Sequence, residues 1–301
     1  MVSIYNLGHT LKYEQEIRRS KIMKIGIDLG NSNLKSHKGL LIPSKIKQGK
    51  YINKSVEVVH ERKIWTIGEG NREVEINKAK KENNLLFLYT MIALSSDDVE
   101  NEIAVGLPIG QYQEQRESYR KYILNNSYTD IVLNGEKRII NITNCKVCAE
   151  GLASVPLGYE GIVLDIGGKT TDIVEIRDKR ILNPVSKAKG TLNLYSNIVN
   201  SINSKYSLDL VEDDAERIIK NGLFLDGEKQ EIDFIYDILA TFTDDIVNTL
   251  KLEYSLRTNK LLLIGGGGNL FYNAIKKRAK QAVLIEDSIF SNAKGFRRSL
   301  E

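Results

Sequence analysis

Cysteine is nearly missing: the 301-residue chain contains only Cys145 and Cys148. That excludes a disulfide framework, and with three histidines scattered along the chain a zinc site lacks ligands. The two thiols stand as CKVC. In a strand, positions three apart point to opposite faces, so the pair would not converge and reads as two buried thiols of a reducing compartment. Four prolines and no low-complexity run exclude long disordered stretches. No apolar run approaches about 18 residues, so no helical membrane span is expected. The N-terminal stretch lacks the continuous apolar core of a signal peptide, which makes the expected location cytoplasmic. Charge of one sign is also scarce. Lys and Arg number 43 against 39 Asp and Glu, and a net +4 is too mild to imply nucleic-acid binding by itself. What is present is 42% hydrophobic and 27% charged residues, enough for a sizeable core. The length favours two domains or one large double-lobed one.

One stretch breaks this ordinary pattern. IVLDIGGKTTDIVEI, residues 162–176, reads as a strand, a knot of glycine and polar residues, and a strand again. A plain surface hairpin needs only a residue pair such as Asn-Gly. MKIGIDLGNSNLKS, residues 23–36, repeats the same grammar, so each half of the chain carries one Asp-x-Gly turn, at Asp28 and at Asp165. Tight turns of this kind aim backbone N–H groups and hydroxyls inward as a nest for phosphate oxygens. Gly30, Gly167 and Gly168 permit close backbone approach. An Asp at each strand end can hold Mg²⁺ through water. Two known phosphate loops fail here. A P-loop requires glycine where Val163 stands, and a Rossmann loop enters a helix, whereas this one re-enters a strand at Asp172.

A third element is LLLIGGGGNL, residues 261–270, a buried apolar strand meeting four glycines, with FYNAIKKRAK following as a helix. Before it, Ile235, Ile238, Leu239, Phe242, Ile246 and Leu250 have the spacing of an amphipathic helix. The glycines are read either as bare backbone for a ribose or ring, or as a tight strand–helix turn.

Together the three elements resemble the actin/Hsp70/sugar-kinase superfamily, and most of all the ParM-type actin-like proteins that segregate bacterial plasmids. IAVGLPIGQY (103–112), CAEGLASVPLGYEGIVLD (148–165) and DSIFSNAKGF (287–296), with its Asn-x-x-Gly-aromatic ending, extend the resemblance over roughly 24–296. It implies an α/β actin-like fold of two lobes with RNase H-like sheets, hinged around a nucleotide cleft. Residues 23–180 would form lobe I, with a small insertion near 41–80, and 181–301 lobe II. Residues 1–22 would be an N-terminal extension. Implied cofactors are ATP or GTP with Mg²⁺, the metal held by Asp28 and Asp165.

The resemblance also implies roles for single residues. Glu150 would orient the attacking water, with Asp28 and Asp165 completing the catalytic set; the alternative is an acid at a helix N-terminus, since GLAS follows. Lys35 matches a phosphate-contacting lysine, or is an edge-strand lysine. Gly30, Asn31, Ser32 and Asn33 form the first phosphate turn, and Gly167, Gly168, Lys169, Thr170 and Thr171 the second. Asp172 would orient the loop or touch ligand. Gly265, Gly266 and Gly267 match the adenosine motif. Glu216 and Lys220 face base and ribose, or form a surface i,i+4 pair. The implied function is an ATPase that polymerises with itself and segregates plasmid DNA through a DNA-binding adaptor bound at a plasmid centromere. The alternative is a small-molecule kinase of the same fold, which needs an acceptor-side base.

Overall fold

The computed structural model describes residues 22–50, 55–73, 75, 77–178 and 180–301. All but the last residue of the expected N-terminal extension lies outside them. The first half builds β1 (Met23–Leu29), β2 (Asn33–Ser36), β3 (Leu41–Pro43), β4 (Lys45–Gln48), β5 (Val56–His60), β6 (Lys63–Ile67), β7 (Asn71–Arg72), β8 (Glu100–Leu107), β9 (Tyr128–Leu133) and β10 (Glu136–Ala149). These pair in the order β3-β2-β1-β8-β10-β9-β5-β6-β4-β7. The insertion near 41–80 thus joins the same sheet at both ends, through β3 beside β2 and through β5 beside β9. Helices α1 (Asn84–Ser95) and α2 (Ile109–Asn125) cover it. The sequence of α1, NLLFLYTMIALS, is apolar almost all round, and accordingly nearly every residue is buried.

The second half contributes β11 (Gly161–Ile166), β12 (Thr171–Arg177) and β13 (Arg180–Lys187), then α3 (Thr191–Tyr206) and α4 (Glu212–Asn221). A short hairpin, β14 (Phe224–Leu225) and β15 (Glu228–Lys229), precedes α5 (Phe234–Glu253). Then come β16 (Leu261–Ile264), α6 (Gly266–Arg278), β17 (Ala282–Leu284) and α7 (Ser291–Arg298). The sheet runs β13-β12-β11-β16-β17. β11 is sandwiched between antiparallel β12 and parallel β16, which explains its unbroken burial. The predicted helical periodicity is α5, whose Ile235, Phe242, Ile246 and Leu250 face the second core.

Two expected boundaries move. Lobe I does not extend to 180, because β11 and β12 hydrogen-bond into the second sheet, so the chain crosses between Ala149 and Gly161. Nor does lobe II keep the C-terminus. α7 returns to lie on β1 and β8 of the first sheet, with Phe296 seated over Gly106. The cysteines fall as strand geometry requires: Cys145 enters the first core, while Cys148, on the opposite face of β10, packs with Phe296.

Candidate functional site

The β1–β2 and β11–β12 hairpins are antiparallel, and their turns meet tip to tip. A Cβ on Gly168 would stand 2.8 Å from the Ser32 side chain, so only glycine allows the turns this close. Between them lies a cleft of about 220 Å³. Its lining includes fifteen predicted residues: Asp28, Gly30, Asn31, Ser32, Asn33, Lys35, Glu150, Asp165, Gly167, Gly168, Thr170, Glu216 and the glycines 265–267. Asp172 lines it as well.

Three predicted residues do not line it. Strand alternation puts Thr170 and Asp172 on one face and Thr171 on the other, where its hydroxyl donates to the Lys189 carbonyl at 2.7 Å. The Lys169 ammonium reaches outward to the Glu73 carbonyl at 2.7 Å. Lys220 lies one helical turn beyond Glu216 and is exposed, so α4 has already left the cleft.

The two acids of the hairpins sit in opposite electrostatic settings. Burial would raise the Asp28 carboxyl, but the charges of Lys35 and Lys78 and their hydrogen bonds hold it below the ordinary range. Lys35 lies 3.0 Å from Oδ2 and Lys78 3.7 Å from Oδ1. Among the described residues Asp165 forms no ion pair, and the charge of Lys35 lowers it only weakly. Burial and the charge of its cross-strand neighbour Asp172 push it up to about 7, although Asn292 donates to its Oδ2 at 3.0 Å. Asp172 accepts from the Thr170 hydroxyl through Oδ2, while its Oδ1 is buried without a hydrogen-bond partner. It therefore orients the loop, beside its cross-strand neighbour Ser186.

Glu150 follows β10 directly, and its N–H donates to the Leu107 carbonyl at 2.9 Å. GLAS does not open an α-helix. Only a three-residue 3₁₀ turn, Leu152–Ser154, follows, so helix-terminus stabilisation does not explain the acid. Its carboxyl ion-pairs with Lys78. Burial raises the carboxyl and outweighs Lys78's attraction, while Glu150 and Asp28 more than offset the burial of Lys78 and keep it charged. Lys78 is 1% exposed and joins Asp28 to Glu150 through one ammonium. The sequence reading missed it, as it missed buried Lys81, whose ammonium donates to Asn31 Oδ1 at 2.6 Å. Burial, then the charge of Lys78, lowers Lys81 to about 8.

At the other end, Gly265 has φ +78°, and a Cβ there would lie 2.2 Å from Asp165 Oδ1. Its N–H donates to the Ser288 carbonyl. α6 begins at Gly266, where a Cβ would meet nothing within 4 Å, so the helix start shows bare backbone to the open cleft. The glycine run is thus both a strand–helix turn and an unobstructed surface. The α3 start is different: the Thr191 and Leu192 N–H groups are consumed by the Gly167 and Gly168 carbonyls, bracing the second turn. Tyr195 and Glu216 line the outer cleft.

The donor set suits magnesium in kind: all-oxygen, with two nearly buried carboxylates lining one space. Among the described residues no group of three or more His, Cys, Asp or Glu is arranged to hold a metal directly. The mouth of the cleft is bridged by Asp213 on α4, which ion-pairs with Arg72 at 3.0 Å and with Lys45. Arg72 also donates to the Ser32 carbonyl of the first turn.

Comparison with known proteins agrees with this fold. Residues 26–152 match the family described as actin-like proteins, N-terminal domain, and residues 163–277 the archaeal actin homologue MreB-like C-terminal family. An archaeal actin homologue of Thermoplasma volcanium is 24% identical, with 67% of this chain and 69% of that protein covered. The crystal structure of an archaeal actin homologue superposes with TM-score 0.79 at 20% identity, over 93% of this chain and 99% of the other. A 15-stranded ParM filament from Clostridium botulinum gives 0.77 at 21% identity, over 93% and 99%. The archaeal homologue is also known in complex with ADP. With two consecutive segments matched to actin-like domain families and the whole fold superposed on an actin-like structure, the fold of the chain is actin-like.

Proposed function

We propose that this chain is an ATPase that assembles into filaments with nucleotide bound and segregates plasmid DNA through a separate DNA-binding adaptor at a plasmid centromere. The observation that carries the reading is the pair of opposed Asp-x-Gly turns with Glu150 beside them and an open glycine-lined helix start at the far end. Phosphates would lie between the turns, against the Ser32 and Thr170 hydroxyls and backbone N–H groups. Lys35 would move from Asp28 to the phosphates. Magnesium, held through water by Asp28 and Asp165, would supply charge neutralisation at the phosphoryl group. Glu150 would accept a hydrogen bond from the attacking water and align it. Phosphoryl transfer asks little more of a protein than this positioning and charge.

Solved structures named as filaments support self-assembly, and a head-to-tail contact that does not close would extend it. A micromolar critical concentration corresponds to about −8 kcal/mol per subunit, and a hundredfold weakening after hydrolysis needs only about 2.7 kcal/mol. A hinge change between the two sheets would supply it. Mild net charge suits delegation of DNA contact to the adaptor. The test is high-speed sedimentation at tens of micromolar protein with and without ATP, beside phosphate release. ATP-dependent pelleting with phosphate release is expected. ATP consumption only when a small hydroxyl acceptor is supplied, without pelleting, would move the assignment to the kinase class.

A further inference from the structure

The C-terminal Asn-x-x-Gly-aromatic pattern has a physical meaning. Asn292, Gly295 and Phe296 stand at i, i+3 and i+4 of α7 and so share one helical face. Two of them seat the helix. A Cβ on Gly295 would lie 2.0 Å from the Ala153 carbonyl oxygen, and Phe296 fills the space that a side chain at Gly106 would need. From across the interface Gly26 does the same, for a Cβ there would lie 2.1 Å from the Ala293 carbonyl. Backbone meets backbone on both sides, so α7 cannot slide without separating from the first sheet.

Asn292 is the residue this seat presents to the cleft. It is 6% exposed, and both ends of its amide are used. Its Oδ1 accepts the Gly151 N–H at 2.9 Å, one residue after Glu150. A backbone N–H only donates, so the oxygen is fixed there and the NH₂ must face Asp165, donating to Oδ2 at 3.0 Å. A single side chain therefore joins the backbone carrying Glu150, on the first sheet's side, to the carboxylate of Asp165 on β11 of the second. The segment just before α7 adds a third tie, since the Ser288 carbonyl accepts from Gly265 N–H.

We infer that Asn292 is a positioning residue for hydrolysis, setting the rotamer of the Asp165 carboxylate relative to Glu150 across the two sheets. The inference rests on the ATPase reading above. Outer hydrogen-bond partners of ligand carboxylates typically change metal affinity or activity by about 10- to 100-fold.

Asn292→Asp separates the two bonds: it keeps the acceptor for Gly151 and loses the donor to Asp165. Arg298→Ala is the control for helix seating, because Arg298 donates to the Ala153 and Val155 carbonyls and is not among the residues lining the cleft. The measurements are phosphate release, affinity for a fluorescent ATP analogue with magnesium and with chelator, and thermal unfolding. For Asn292→Asp the expected result is a loss of at least about tenfold in kcat and in the magnesium-dependent gain in ATP affinity. Its affinity in chelator should stay near wild type, while its Tm falls at neutral pH because a second buried carboxyl then faces Asp165. Arg298→Ala should lower Tm and leave kcat and the magnesium gain unchanged. Asn292→Leu, which loses both bonds, should match or exceed the Asp variant. Wild-type kcat and magnesium gain in Asn292→Asp would overturn the positioning role and leave the ATPase reading intact. Equal losses of kcat in both Asn292→Asp and Arg298→Ala, tracking Tm, would also overturn it. Failure of wild type itself to bind or hydrolyse ATP would overturn both.

Discussion

The two phosphate turns look alike in sequence and differ in charge. In the first, Asp28 is matched by two lysines and held ionised. In the second, Asp165 stands beside Asp172, supported by the Asn292 amide and weakly by the charge of Lys35, and is raised to about 7. One turn is neutralised within the protein; the other is not. The difference teaches where a ligand's charge is needed. A nucleotide's magnesium would complete the second turn, while Lys35 would be released from the first to its phosphates.

The strongest way to break the contrast is to remove the cation of the first turn. Lys78→Met leaves Asp28 and Glu150 as buried carboxylates without their shared partner. Breaking a buried pair from one side typically costs about 3–5 kcal/mol, and a loss of that size is expected in urea unfolding. Adding Glu150→Gln should restore much of the stability but none of the hydrolysis. Next in size is Glu150→Ala alone. Phosphate release should fall at least about a hundredfold, the range for a positioned acid–base group, while ATP-dependent pelleting persists.

Asp165→Asn sharpens the comparison through pH. The folded carboxyl titrates near 7 against an ordinary 3.8, so the folded chain keeps a proton that the unfolded chain loses. The stability this gives is full below about 3.8 and is lost as pH rises through about 7. In metal-free buffer the Asn variant should therefore melt above wild type at pH 8, by several degrees, with the gap closing towards pH 4. The same change at Asp28 should lower the melting temperature at pH 8, because Lys35 and Lys78 lose their partner. The smallest effect is expected at the mouth of the cleft. Asp213 is about half exposed and its pairs with Lys45 and Arg72 are worth at most about 1 kcal/mol. Asp213→Ala should speed nucleotide release by no more than about fivefold, and raised salt should mimic it.

Much of this was legible because glycine and aspartate punctuate both hairpins at the same spacing, and because apolar periodicity marks α5. The ordered set of motifs placed fifteen cleft residues. What escaped the sequence is non-local. Lys78 sits in a run with Lys80 and Lys81, and nothing in the letters separates the fully buried lysine from its exposed neighbour Lys80. Only the fold, bringing the insertion's end under Glu150, does so. The lobe boundary failed for a related reason. A hairpin is a local object, but which sheet β11 and β12 extend is decided by β16, about a hundred residues later in a parallel pairing that no local pattern announces. Thr171 and Lys220 were misplaced by treating neighbours in sequence as neighbours in the cleft; strand alternation and helical rise separate them.

The most direct test is the affinity of wild type and Asp165→Asn for an ATP analogue, each with magnesium and with chelator. The account predicts that wild type binds at least about tenfold more tightly with magnesium, and that Asp165→Asn binds equally in both conditions. Wild-type binding that ignores magnesium, or a variant that keeps the full magnesium gain, would contradict the claim that the second turn is completed by a cation.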